Sequence, residues 1–231
     1  FPTRRSSDLF AVAGAELCGV AVDGEGLNTA ELARLGRCRL AYVTPSHQYP
    51  SGVTLSLARR LELLAWAERR DGWIVEDDYD SEYRYNGTPL APLAALDRQG
   101  RVLYVGSLSK TLAPGLRVGY VVAPPAVISE LQALRRLMLR HGPGNNQRAV
   151  ALFLALGHHD RLLRRLALVL RERAAAMRQA LARHLPECAW SCGDGGSSFW
   201  VRGPEGLDGR ALAERAQAAG VLIEPGDVFF Q

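Results

Sequence analysis

Through the first two-thirds of the chain, short runs of β-type residues alternate with helical stretches, and this alternation restricts the fold more than any other feature. It is the sequence rhythm of βαβ units around a mostly parallel sheet. The first run, Leu40 to Thr44, is followed by the Pro and Gly loop PSHQYPSG. Residues 55–70 then put Leu57, Leu61 and Leu64 on one helical face against Arg59, Arg60, Glu68 and Arg69, and Asp71-Gly72 ends the helix. That helix returns the chain to the sheet.

The next strand, Trp73 to Val75, leads into Glu76-Asp77-Asp78-Tyr79-Asp80, and a third, Val102 to Gly106, leads into Ser107-Leu108-Ser109-Lys110. The polar clusters are therefore expected just beyond the carboxyl ends of strands, the edge of an open parallel sheet where ligands bind. Residues 118–123 read as another strand and Ala126 to Arg140 as a helix. After GPGNN at 142–146, residues 147–184 read as a long helix broken near Gly157-His158-His159. The remainder reads as a small α+β unit with strands Ala189 to Cys192 and Ser198 to Val201, a helix from Gly209 to Ala219 and a strand from Val221 to Ile223.

At 231 residues and 48% hydrophobic content the chain can bury a substantial core. No apolar run approaches the roughly 20 residues that cross a bilayer, and no secretory signal opens the chain, so a cytoplasmic protein with no membrane contact is expected. The pI of 9.1 invites a nucleic-acid reading, but the net charge is only +4 and the arginines are spread along the chain. Cys18, Cys38, Cys188 and Cys192 lack zinc-ribbon spacing and read as reduced thiols, and no metal site is expected. The opening FPTRRSSDL resembles the translation of a sequencing-adapter oligonucleotide, so residues 1–9 are set aside. Truncation is expected at both ends, because the chain stops at Gln231 in mid-pattern.

Among 28 cationic side chains only one, Lys110, is a lysine. Arginine serves as a surface cation but cannot replace a primary amine that must lose its proton and attack a carbonyl. Pyridoxal phosphate requires such a lysine, an acid to hold the pyridine nitrogen protonated, and donors for the ring oxygen and phosphate. Each has a candidate here. Asp77, leaving a buried-looking strand, suits the pyridinium. Tyr79 can offer its phenol to the ring oxygen. Ser107 and Ser109 bracket the turn before Lys110, Arg117 adds a bidentate cation for phosphate, and Gly115 lets the backbone pass close by. The acidic run Glu76 to Asp80 could instead hold Mg²⁺, but no P-loop accompanies it. Asp78, Asp80 and Glu82 read as solvent contacts or structural hydrogen bonds. His47 is left unassigned, and the arginines at 161, 164, 165, 171, 173, 178 and 183 read as a solvated helix face.

Four phrases carry a family resemblance: VTPSHQYPSGVTLSLARRLELLAWA, IVEDDYDSEYRY, VLYVGSLSK and LAPGLRVGYVVAP. Together they resemble the fold-type I aminotransferases of classes I and II, and most closely the aminotransferase-like domain of MocR/GabR-type transcription regulators. The resemblance runs from about Phe10 to Gln231, with residues 40–123 its specific part. It implies a mostly parallel sheet sandwiched by helices in a partial large domain, 10–157, and a smaller α+β C-terminal domain, 158–231. It also implies that Lys110 forms the aldimine with pyridoxal 5'-phosphate, that Asp77 partners the pyridine nitrogen and Tyr79 the ring oxygen, and that Ser107, Ser109 and Arg117 belong to the phosphate site. A homodimer is a further implication.

The departures are equally specific. Where the enzymes carry Asn-Pro-x-Gly, this chain has Tyr49-Pro50-Ser51-Gly52, a spelling of the regulator branch that leaves the Asn contact unfilled. By the resemblance, the family's phosphate loop and stacking aromatic are expected upstream of residue 1 and its substrate-carboxylate arginine beyond residue 231. The resemblance thus implies either a transaminase moving an amino group between an amino acid and a 2-oxo acid, or a sensor that recognises an amino compound by the same chemistry. In the sensor, DNA would be bound only through a winged-helix domain upstream of this chain.

Overall fold

The computed structural model describes residues 6–86 and 90–229. Residues 1–5 of the opening segment that was set aside, and residues 230 and 231 of the expected small domain, lie outside the described residues. The first elements are α1 (Ser6–Val12), which starts inside the adapter-like segment, then β1 (Val22–Asp23), β2 (Gly26–Leu27) and α2 (Thr29–Arg34). The βαβ region follows as β3 (Leu40–Val43), α3 (Leu57–Arg69), β4 (Trp73–Asp78), α4 (Leu93–Leu96), β5 (Val102–Ser107) and β6 (Gly119–Val122). Next come α5 (Pro125–Leu139), α6 (Gly144–Ala155), α7 (His158–His184), β7 (Ala189–Ser191), β8 (Trp200–Arg202) and α8 (Gly209–Ala218).

The central sheet has the order β3-β4-β5-β6, with the first three strands parallel and β6 antiparallel to β5. The sequence rhythm therefore yields the expected α/β, mostly parallel architecture. One face of β3 and β4 carries Ala41, Val43 and Ile74 into a core closed by Leu63, Trp66 and Ala67 of α3 and Leu93 of α4. Ser56 caps α3, its side chain accepting from the Arg59 N–H at 3.3 Å.

The buried face of α3 is not the expected one. Leu57 and Leu61 are 47% and 53% exposed, whereas Arg60, Leu63, Trp66 and Ala67 point inward. A hydrophobicity count puts Arg60 in water; the structure leaves it 1% exposed because backbone carbonyls surround its guanidinium. Nε donates to the Leu55 carbonyl at 3.0 Å, Nη1 to Ala91 at 3.1 Å and Nη2 to Pro45 at 2.9 Å. Nη1 also lies 3.9 Å from Glu76 Oε1, and Glu76 is 0% exposed. The two Glu76 oxygens accept the N–H groups of Leu93 and Ala94 at 2.8 Å each, satisfying the orphan donors at the start of α4. Burial pushes the Glu76 carboxyl up and the Arg60 guanidinium down, and each charge opposes the other's shift.

The expected end of β4 at Val75 is also wrong, since the strand continues through Asp78. The ladder to β5 extends to Asp78 opposite Gly106, and the acidic residues stay in the strand because each finds a donor on its own face. Val221 to Ile223 form no strand. The Val221 N–H is spent on the Ala216 carbonyl at 2.8 Å, closing α8 beyond the left-handed Gly220, and no strand among the described residues pairs with the segment. The helical stretch after α5 does break where expected, at Gly157 with φ of 70°. Most of the α7 arginines are exposed as expected, but Arg171 donates to the Tyr85 carbonyl at 2.7 Å and Arg178 reaches Cys192 Sγ at 3.5 Å, tying α7 to the region after β4 and to the turn after β7. All four cysteines are free thiols. No helix among the described residues is long and apolar enough to cross a membrane.

Removing one partner of a buried charge pair strands the other, so Arg60→Ala should cost about 3–5 kcal/mol in urea unfolding. Leu61→Ala should stay within about 0.5 kcal/mol, as expected of an exposed side chain. The reverse ranking would restore the expected helical face.

Candidate active site

Strand register brings the candidate residues together. In β4 successive side chains alternate between faces, so Glu76 and Asp78 turn toward the α3/α4 core while Val75 and Asp77 turn the other way. Asp77 lies opposite Val105, and Val105 shares its face with Ser107 two residues on. Tyr42 of β3 lies opposite Val75, which puts its ring on this same face. Its hydroxyl donates to Asp77 Oδ2 in a short hydrogen bond. Asp77 Oδ1 accepts no hydrogen bond among the described residues. Burial raises the Asp77 pKa, the Tyr42 hydrogen bond opposes that rise, and the nearby charges of Asp78 and Asp80 add to it.

The strand β5 ends at Ser107 and the chain turns at once. Ser107 Oγ accepts the Ser109 N–H at 3.2 Å, and the Leu108 N–H donates to the Val118 carbonyl at 3.1 Å. The loop from 109 to 117 therefore leaves and returns at one point, and it carries Ser109, Lys110 and Arg117 together. Leu108 and Thr111 point into the protein and Lys110 points out. The Tyr83 hydroxyl, from the 3-10 turn Ser81–Tyr83, donates to the Lys110 carbonyl and so fixes the backbone beneath the amine. No partner engages Lys110 Nζ among the described residues. Arg117 ends a second 3-10 turn, Pro114–Leu116, in the left-handed conformation with φ of 50°, and its side chain is exposed. A Cβ on Gly115 would meet no protein atom within 4 Å.

Tyr79 leaves β4 and its hydroxyl donates to the His47 carbonyl at 3.1 Å. Burial pushes its phenol pKa up, so it keeps the proton that a ring-oxygen contact needs. His47 itself is buried, with Nδ1 2.8 Å from Asp80 Oδ1. The turn after β7 closes over it. A Cβ on Gly193 or Gly195 would stand 2.8 Å from the His47 ring, and Ser191 Oγ donates to the Ser51 carbonyl at 2.9 Å. Asp78 accepts from the Tyr104 hydroxyl at 2.6 Å. Asp78 and Asp80 are thus structural hydrogen-bond acceptors, not solvent contacts. No group of His, Cys, Asp or Glu among the described residues is arranged to hold a metal ion.

Sequence reasoning missed Tyr42, Tyr83 and the role of His47. Tyr42 did carry a signal, since it falls out of phase with the apolar Ala41 and Val43 of the same strand. Which side chain it meets depends on cross-strand register, which the sequence alone leaves open.

The chain is similar to known proteins over most of its length. The family model for aminotransferase class I and II matches residues 31–230. The HTH-type transcriptional regulator TauR of Rhodobacter capsulatus is 47% identical over 217 residues, 94% of this chain and 44% of the regulator. Aromatic-amino-acid aminotransferase 1 of Thermococcus litoralis is 34% identical, over 93% of this chain and 54% of the enzyme. The crystal structure of LysN, an alpha-aminoadipate aminotransferase from Thermus thermophilus solved with N-(5'-phosphopyridoxyl)-L-leucine, superimposes with a TM-score of 0.88 at 34% identity, covering 94% of this chain and 57% of that one. The chain spans about half the length of the curated relatives it matches. A parallel sheet with an amine-bearing turn and an acid at its carboxyl edge, a family model covering most of the chain and close structural kinship with LysN lead to one conclusion: the chain belongs to the aminotransferase class I and II family, of fold type I, whose members use pyridoxal phosphate.

Proposed function

We propose that the carboxyl edge of β4 and β5 holds pyridoxal phosphate and that the protein uses it to transfer amino groups between an amino acid and a 2-oxo acid. The observation that carries this reading is the position of Lys110, the chain's one lysine, on the turn that leaves β5, one strand from Asp77. The side chains fit the group. Asp77 keeps Oδ1 without a donor among the described residues, as the acceptor of a pyridinium N–H must be. Ser107 and Ser109 supply hydroxyls and Arg117 a guanidinium around the turn that the Leu108 to Val118 hydrogen bond closes, donors suited to a phosphate dianion.

When bound, pyridoxal phosphate supplies an aldehyde for amine capture and a ring that withdraws electrons. Lys110 Nζ would hold the group covalently and would serve as the general base that moves a proton. Asp77 would hold a proton on the ring nitrogen through opposite charge. Tyr79, whose hydroxyl donates to the His47 carbonyl at 3.1 Å, would offer that O–H as a hydrogen-bond donor to the ring oxygen.

The same reading divides the chain into a cofactor-binding unit at 10–157 and a smaller unit at 158–231, acting as a homodimer in the cytoplasm. A second reading is favoured by the 47% identity to an HTH-type regulator. In it the same site recognises an amino acid or amine effector with little turnover, and a DNA-binding domain outside this chain responds. Conversion of an amino donor to its 2-oxo acid supports the enzyme; a ligand-induced spectral change without product supports the sensor.

The purified protein with pyridoxal phosphate should develop a visible absorbance band, and borohydride should fix the cofactor to the peptide containing Lys110, as read by mass spectrometry. Lys110→Ala should lose both. A band that persists unchanged in Lys110→Ala overturns the proposal.

Asp77→Asn should act in opposite directions on the cofactor and on the empty protein. It should weaken pyridoxal phosphate binding about tenfold or more. Without cofactor, the raised pKa of Asp77 means that its contribution to stability is present below the unfolded value of about 4 and is lost as pH rises through the folded value. Asparagine does not titrate, so the stability of Asp77→Asn relative to wild type should grow as pH rises from 4 to 7, measured by urea unfolding without cofactor.

A further inference from the structure

Three aspartates crowd the end of β4 and the turn after it, and each has its own hydrogen-bond donor. Asp78 takes the Tyr104 hydroxyl at 2.6 Å, Asp80 takes His47 Nδ1 at 2.8 Å, and Asp77 takes the Tyr42 hydroxyl. The first two pairings are internal to the fold, since Asp78 and Asp80 are buried. The third is different in kind. Asp77 is only partly buried, faces away from the α3/α4 core, and uses one of its two carboxylate oxygens.

Tyr42 is well placed to control that carboxylate. It lies on the neighbouring strand one pleat behind Asp77, opposite Val75, and its ring packs edge-on against Phe10 with centroids 5.8 Å apart. Held there, the hydroxyl restricts rotation of the carboxylate by engaging Oδ2. The donor is also neutral. A guanidinium in its place would cancel the charge of Asp77, whereas a phenol O–H orients the carboxylate without bringing a countercharge.

We propose that Tyr42 is a positioning residue for the pyridine-nitrogen contact: by occupying Asp77 Oδ2 it presents Oδ1 as the acceptor for the ring N–H. This rests on the reading of Asp77 given above.

The test compares pyridoxal phosphate with its deaza analogue, in which carbon replaces the ring nitrogen, by titrating each into wild type, Tyr42→Phe and Asp77→Asn and reading absorbance and fluorescence. Tyr42→Phe removes a single oxygen, and an unchanged melting temperature of the cofactor-free protein verifies the fold. Wild type should prefer pyridoxal phosphate to the analogue. Tyr42→Phe should lose about tenfold in affinity for pyridoxal phosphate and less than about twofold for the analogue, because the hydrogen bond acts only through the nitrogen. Asp77→Asn should lose the preference altogether. Equal losses for both ligands in Tyr42→Phe, with or without a fall in melting temperature, would make Tyr42 a strand-to-strand tie and overturn the proposal, as would no loss for either. If Asp77→Asn retains the preference for the nitrogen-containing ring, the reading of Asp77 itself fails and the assignment of Tyr42 falls with it.

Discussion

The pairing of Arg60 with Glu76 is the constraint on which the rest depends, because it joins four separate pieces of chain at a point that water does not reach. The guanidinium collects carbonyls from Pro45, Leu55 and Ala91, and the carboxylate takes the first N–H groups of α4. Such a pair contributes little net stability over a well-packed apolar alternative, since desolvating two charges offsets most of their attraction. What it contributes is definition. Only one placement of α3, α4 and the loop after β3 satisfies every donor and acceptor, and that placement sets the depth and register of β4.

From that register the site follows. Glu76 turned into the core requires Asp77 to face away from it and Asp78 to face inward again, because side chains alternate along a strand. Pairing Asp77 with Val105 then brings the end of β5 alongside, and the turn closed by the Leu108 to Val118 hydrogen bond carries Lys110 and Arg117. Three aspartates within four residues would repel one another in an apolar site. Their separate donors, two tyrosines and a histidine, give each carboxylate its own hydrogen bond.

The C-terminal part contributes by close approach. Gly193 and Gly195 bring their backbone against the His47 ring, where any side chain would collide. His47 in turn holds Asp80 through its ring and Tyr79 through its carbonyl. The glycines of the turn after β7 therefore bear on a phenol at the carboxyl edge of β4, even though they lie more than a hundred residues away in the chain.

The sequence by itself determined the α/β class, the mostly parallel sheet, the break at Gly157 and the singularity of Lys110, because each of these is written in local periodicity, in a glycine or in composition. It also placed Asp77, Tyr79, Ser107 and Ser109 at strand ends, which is a matter of counting from the last β-type residue. It misjudged α3, where apolar spacing favoured Leu57 and Leu61, and it ended β4 at Val75, because a buried Arg60 and an acidic strand end are tolerable only when distant groups satisfy them. Those groups, the carbonyls of Pro45 and Ala91 and the hydroxyls of Tyr42 and Tyr104, come from other strands and loops. Cross-strand register and the pairing of buried charges are relations between segments, so the oxygen of Asp77 that Tyr42 engages emerges only once the strands are packed side by side.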